Sequence, residues 1–306
     1  MLAERLPTIL QPLEAATALE VASIHSVAGM RSPGTGLVTT PPFVAPHHTA
    51  SKAAIIGGGS GLIRPGAASL AHRGVLFLDQ APEFARDVLD TLRQPLESGK
   101  VVIARASAQA TFPARFTLVL AASPCPCTAT IAAAQEGTAC RCSPAARRRY
   151  LGRLSGPLLD RVSVKVSLQP ASREGLTGRA SGEPSAVAAQ RVAAARERSA
   201  ARLAGTPWRL NVEIPGPALR RAFPPAAGSL RPLERAMELG RVSARSADQI
   251  VGVAWSLADL AAKDRPGSDE IHLAIELWSG ATPQQARDAA AAWEETGGRA
   301  DRSPAE

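Results

Sequence analysis

The chain has 306 residues, 35 Lys and Arg against 27 Asp and Glu, a formal charge of +8 and a pI near 10.1. That length leaves room for two domains and a sizeable core. The basic balance favours an acidic partner such as nucleic acid and fits an Arg- and Ala-rich composition with no special partner equally well. No run of 18 apolar residues occurs, which excludes a membrane-spanning helix.

The chain opens on MLAERLPTILQPL, with Leu2, Leu6, Ile9 and Leu10 at helical spacing and no N-cap residue before Met1. Glu4 and Arg5 lie inside this apolar run and no small-residue cleavage site follows, so it does not read as a signal peptide. A cytoplasmic chain is expected, whose four cysteines stay reduced unless they hold metal. Residues 26–73 are rich in Gly, Pro, Ser and His, as in PPFVAPHHTAS and GGGSGLIRPG, and predict extended loops or hairpins laid over a core.

The run GVLFLD predicts a buried strand over 75–79, because four apolar residues lead into a terminal carboxylate. Phe84, Val88, Leu89, Leu92 and Leu96 then share one helical face, which predicts a helix over 82–96 ended by Gly99. A hairpin is expected from 101–104 and 110–113, a second buried strand at 116–122 and a third, alternating one at 162–168. The Ser/Gly/Pro/Arg stretch 169–184 marks a domain boundary. Beyond it the pattern is helical: 185–204, then 217–223, 229–240, 244–262 and 268–279. The expected layout is a mainly parallel α/β core over 1–172, a small all-helical lid over 183–280 and a divergent tail over 281–306.

Asp79 closes the first buried strand, where parallel sheets bind their ligands, and a carboxylate there can hold Mg²⁺ that bridges phosphate oxygens. The next residue is Gln80, an amide that can position water and is a very poor base. Ser123, in AASPCPC, follows the second strand, where a polar side chain can reach a γ-phosphate or that water, though Ser is short for it. Arg161, in SGPLLDRV, can face a neighbouring subunit and stabilise a transferring phosphate. Arg245, in RVSARSADQIV, opens a lid helix from which a guanidinium can reach a γ-phosphate. The bland alternatives are a helix cap for Asp79, a plain strand end for Ser123, a local ion pair between Arg161 and Asp160, and a solvated Arg245. Cys125, Cys127, Cys140 and Cys142 form C-x-C, twelve residues, C-x-C, a donor set for tetrahedral Zn²⁺ or else four reduced thiols. His47 and His48 read as loop packing or partner contact, and Arg147–Arg149 as a solvated or DNA-facing helix.

PPFVAPHHTASKAAIIGGG, PGAASLAHRGVLFLD, TLRQPLESGKVVIARA, FPARFTLVLAASPCPC, RRYLGRLSGPLLDRV and VSARSADQIVGVAWSLADL together resemble the magnesium-chelatase-like AAA+ ATPases of the ComM/YifB type. The resemblance covers about residues 1–278. It implies a three-layer P-loop-type sheet with a helical lid, ATP and Mg²⁺ as cofactors, and a hexameric ring that encircles DNA and drives branch migration in transformation. It places the catalytic and sensor roles on Asp79, Gln80, Ser123, Arg161 and Arg245.

Three departures accompany it. Gln80 stands where the family has Glu, Ser123 where it has Asn, and no G-x-x-x-x-G-K-[ST] occurs in the 306 residues. The opening helix resembles the one that follows that loop, so Met1 is expected to lie just past it and the core to lack its first, central strand. Each backbone group such a strand leaves buried and unpaired costs about 1–3 kcal/mol. The 306-residue chain alone is therefore expected to be poorly stable and not to hydrolyse ATP. Two classes follow: a piece of an ATPase motor, or a non-hydrolysing subunit that lends Arg161 to an active neighbour in a mixed ring. A magnesium-chelatase subunit is a third reading.

Overall fold

A computed structural model describes residues 2–30, 36–59, 62–105, 109–127, 140, 142–168 and 183–280. The expected 281–306 tail and most of the 169–184 boundary lie outside the described residues. The chain forms two compact units, Met1–Arg161 with Pro170–Gln190, and Val162–Gln169 with Arg191–Glu306.

The first unit is α/β. Helices α1 (Leu2–Ile9) and α2 (Ala15–Val27) precede the short strand β1 (Phe43–Val44). Next come helix α3 (Lys52–Ile56), the paired strands β2 (Gly57–Gly58) and β3 (Arg64–Pro65), and helix α4 (Ala67–Leu70). β4 (Val75–Leu78) runs parallel between β1 and β7 (Thr117–Leu120), with Leu78 beside Leu120 at the carboxyl end. Four consecutive apolar residues make β4 because both of its faces are covered: Val75, Leu76 and Leu78 are buried. Around them pack Ile55, Phe84, Leu89, Leu92 and Leu158, all nearly inaccessible, each worth about 1.5–3 kcal/mol of transfer free energy.

Gly74 sets the spacing at the amino end of β4. Val75 N–H donates to Pro42 O at 2.8 Å on one side, and Thr117 N–H to Gly74 O at 2.9 Å on the other. A Cβ on Gly74 would fall onto the Pro42 carbonyl oxygen, so the close approach requires glycine.

The expected helix over 82–96 is broken into a 3₁₀ turn (Ala81–Glu83) and two short helices, α5 (Arg86–Thr91) and α6 (Arg93–Ser98). Pro95 has no N–H to donate one turn back, so a continuous helix loses its bond there. Gly99, at φ 67°, ends α6 in the left-handed conformation, as expected. The hairpin forms from β5 (Lys100–Ala104) and β6 (Gln109–Pro113) in a five-residue register. Stretch 26–73 holds more helix than its composition suggests, and α2, with Ala18, Val21 and Ile24 buried, was not read from the sequence. Among its described residues up to Arg161, two further helices follow, α7 (Pro144–Leu151), capped by Ser143 Oγ on Ala146 N–H at 3.2 Å, and α8 (Gly156–Leu159).

The second unit is helical. It comprises most of α9 (Ser185–Leu203), then α10 (Gly216–Ala222), α11 (Arg231–Glu238), α12 (Ala244–Leu260) and α13 (Ser268–Ser279). Alanine and arginine, strong helix formers, fill α9, and its Ala195, Ser199 and Leu203 are buried. Ile250, Ala254, Trp255 and Ile271 form the centre of this core, and Trp255 Nε1 donates to Phe223 O at 3.1 Å.

The strand expected over 162–168 does not form. Alternation alone makes no strand without a neighbour to take its backbone bonds. Here Lys165 N–H donates to Leu277 O at 2.6 Å, and its ammonium lies 4.8 Å from the centre of the Trp278 ring. Among the described residues no helix is long and apolar enough to cross a membrane.

Candidate functional site

The carboxyl end of the sheet gathers three of the expected residues. β4 delivers Asp79 and Gln80, both exposed, and β7 delivers half-buried Ser123. The two strand ends are tied by Ala121 N–H on Leu78 O at 3.0 Å and by Ala81 N–H on Ala121 O at 2.8 Å. Asp79 Oδ1 accepts from Gln80 N–H at 2.9 Å, leaving the rest of the carboxylate open to solvent. Gln80 sits at φ 52° and ψ 47°, the left-handed region, which costs a non-glycine residue about 1 kcal/mol or more. Asp79 is a suitable ligand for a hard cation such as Mg²⁺. Ser123 adds a hydroxyl, and nothing in the 306-residue sequence matches the glycine-rich loop with lysine that cradles phosphates.

Arg153 was not anticipated. Its Nη1 donates to Pro82 O at 3.0 Å and reaches Glu83 Oε2 at 3.4 Å, fixing the 3₁₀ turn that follows Gln80. The two partners are 71 and 70 residues away, so no local pattern signals them.

Arg161 ends the first segment of the first unit and is held in that unit. Its guanidinium pairs with Glu97 and donates to Pro157 O, and its side chain is 11 % exposed. The ion partner is therefore Glu97, on α6, rather than the neighbouring Asp160. These groups border a groove of about 410 Å³ that Asp90, Arg93 and Gln94 also line. Arg245 is exposed in the first turn of α12, after Ser243, whose Oγ accepts from Ser246 N–H at 3.1 Å. It belongs to the second unit, and the other four candidates to the first.

The four cysteines converge. Their Sγ atoms all lie within 4.8 Å of one another, with Cys125 buried, Cys127 exposed and the other two half-buried. Hydrogen bonding with Cys127 and Cys125 pulls the Cys140 thiol down to about 6, while hydrogen bonding with the Cys127 and Cys140 sulfurs pushes Cys142 up to about 12. His47 and His48 stack with ring centres 4.0 Å apart, and His47 Nδ1 lies 2.8 Å from Thr49 Oγ1, which ties the pair to its own loop. Arg147, Arg148 and Arg149 are all exposed on α7.

Two family profiles match the chain: magnesium chelatase, subunit ChlI, over residues 1–176, and the C-terminal part of that subunit over 182–277. An uncharacterized protein of Mycobacterium tuberculosis is 50% identical over 277 residues, which are 90% of this chain and 54% of that protein. YifB of Escherichia coli is 39% identical over 266 residues, 86% of this chain and 50% of YifB. Competence protein ComM of Haemophilus influenzae is 41% identical over 262 residues, 85% of this chain and 49% of ComM. The chain thus spans about half the length of the curated relatives it matches.

Proposed function

This chain belongs to the magnesium chelatase subunit ChlI family, alongside YifB and ComM, and from that premise we propose that it serves in an ATP-dependent AAA+ ring acting on DNA in the cytoplasm. The observation that carries the reading is the exposed Asp79 carboxylate at the carboxyl end of the middle parallel strand, next to the strand whose end leads to Ser123. In this reading Asp79 holds Mg²⁺ on the nucleotide, Ser123 and Gln80 orient water, and Arg245 senses phosphate from the helical unit. Mg²⁺ supplies charge neutralisation on the transferring phosphate. DNA is the partner that the charge of +8 and the exposed Arg147–Arg149 favour. A homo-hexamer or a mixed ring with a longer homologue is the assembly.

Gln80 favours a second form of the same reading, a subunit that does not itself hydrolyse ATP. An amide cannot take the proton of an attacking water. Such a subunit would lend Arg161 to a neighbour, which requires its guanidinium to exchange Glu97 for phosphate.

The test adds the 306-residue chain to a full-length homologue and follows ATP turnover and DNA retention. Stimulated turnover that Arg161→Ala abolishes supports the mixed ring. Turnover by the chain alone defeats the non-hydrolysing form. DNA affinity that does not change with salt defeats the DNA reading, because phosphate contacts give a log–log slope of about −0.9 per charge neutralised on duplex DNA.

A further inference from the structure

The cysteine cluster takes no part in the proposed nucleotide chemistry, and its geometry carries an independent conclusion. Cys125 Sγ and Cys127 Sγ are 3.2 Å apart, Cys127 to Cys140 is 3.3 Å, and Cys140 to Cys125 is 3.3 Å. These separations are well beyond the ~2.05 Å of a disulfide bond, and all four thiols are free. A tetrahedral Zn²⁺ with Zn–S bonds of about 2.3 Å needs sulfurs about 3.8 Å apart. With all four sulfurs within 4.8 Å of one another and none of these three separations below 3.2 Å, the cluster is of the size such a site requires.

The surroundings give the cluster a physical reason. Among the described residues of 121–143, Cys125 alone is buried, so those residues offer little apolar burial to offset the entropy of ordering them. Four thiol side chains nevertheless meet at one point, across a gap of twelve residues between Cys127 and Cys140. Metal binding supplies folding free energy directly to segments of this kind.

We propose that Cys125, Cys127, Cys140 and Cys142 bind one Zn²⁺ as a closed tetrathiolate site. The site staples the segment leaving β7 after Ser123 to the amino end of α7. The donor set selects the metal: four soft sulfurs with no carboxylate favour Zn²⁺ over Mg²⁺ or Ca²⁺. An iron–sulfur cubane interposes several atoms between its thiolates and needs them farther apart. Four protein ligands leave no open position, so the ion is structural rather than catalytic. It leaves the positively charged α7 face, Arg147–Arg149, in a fixed relation to the end of β7.

The test uses the full 306-residue chain. Elemental analysis of protein purified from zinc-supplemented cells is expected to give one zinc per chain, and the double variant Cys127→Ser with Cys142→Ser none. Because that variant can fail to fold, cobalt replacement of zinc in the unaltered chain provides the second readout. The intense visible bands and thiolate-to-metal charge transfer of tetrahedral sulfur-bound Co²⁺ are expected. The proposal is overturned by metal-free soluble protein whose four thiols all react with Ellman's reagent under native conditions, by iron in place of zinc, or by the pale spectrum of octahedral cobalt. None of these readouts depends on ATP or DNA, so the zinc site and the motor reading stand or fall separately.

Discussion

Replacing Arg202 by alanine should cost the helical unit about 3–5 kcal/mol, the range for removing one member of a buried ion pair. Asp259 is only 3 % exposed, and Arg202 grips it with both terminal nitrogens, Nη2 to Oδ2 at 2.8 Å. Arg202 Nη2 also donates to Asn211 Oδ1 at 2.8 Å, and its guanidinium lies 4.2 Å from the centre of the Trp255 ring. Without Arg202, the buried carboxylate keeps one side-chain donor, Asn211 Nδ2 at 3.0 Å. Domains are stable by about 5–15 kcal/mol, so this loss is a large fraction of the total. At a urea dependence of about 1.5 kcal/mol per molar, the midpoint should fall by about 2–3 M. Tryptophan fluorescence isolates the unit, because the four tryptophans are Trp208, Trp255, Trp278 and Trp293 and the first unit has none. The pair Arg202→Met with Asp259→Leu should lie within about 1 kcal/mol of the unaltered chain, since an apolar replacement strands no charge. A single-variant shift under about 0.5 M, or a double variant as unstable as the single, refutes the reasoning.

The first unit should lose stability on acidification through His72. Burial pushes its imidazole below the usual value of about 6.5, against the pull of the Glu20 carboxylate 3.2 Å away; Arg73 and Arg115 add to the lowering. Nδ1 accepts from Arg115 N–H at 3.0 Å, so a second proton has no place in the folded ring. The unfolded chain takes that proton first, so this contribution is complete above about pH 6.5 and declines as pH falls below it. Hydrogen exchange of the β4 amides between pH 7.5 and 5.5 should show the decline, and His72→Asn should flatten it. Gly74→Ala should destabilise the same unit by about 1–3 kcal/mol or more by forcing β1 and β4 apart; unchanged protection of Val75 and Leu76 would contradict this. Glu270→Ala should cost the helical unit about 1–2 kcal/mol, read from the tryptophan melt. Burial raises the Glu270 carboxyl, but hydrogen bonds from Lys263 Nζ at 2.7 Å and Gly267 N–H at 2.9 Å overcome it and hold the group below its usual range. That contribution is present above its unfolded pKa and fades as pH falls through the folded one.

The sequence by itself determined the features that depend on near neighbours. The apolar run of Val75–Leu78 forces a buried strand and leaves Asp79 at its tip, and Gly99 stops the helix before the hairpin. The period of the last five helices locates them to within a few residues, and paired C-x-C spacing marks four thiols. Family membership was legible for the same reason, since its motifs are continuous stretches. The tertiary structure alone decided what depends on residues far apart. Glu97 meets Arg161 across 64 residues, Arg153 reaches Pro82 across 71, and Arg202 finds Asp259 across 57. It also decided that 162–168 runs as irregular chain, because a strand exists only where a neighbour accepts its hydrogen bonds, and no periodicity within seven residues reports whether one is there.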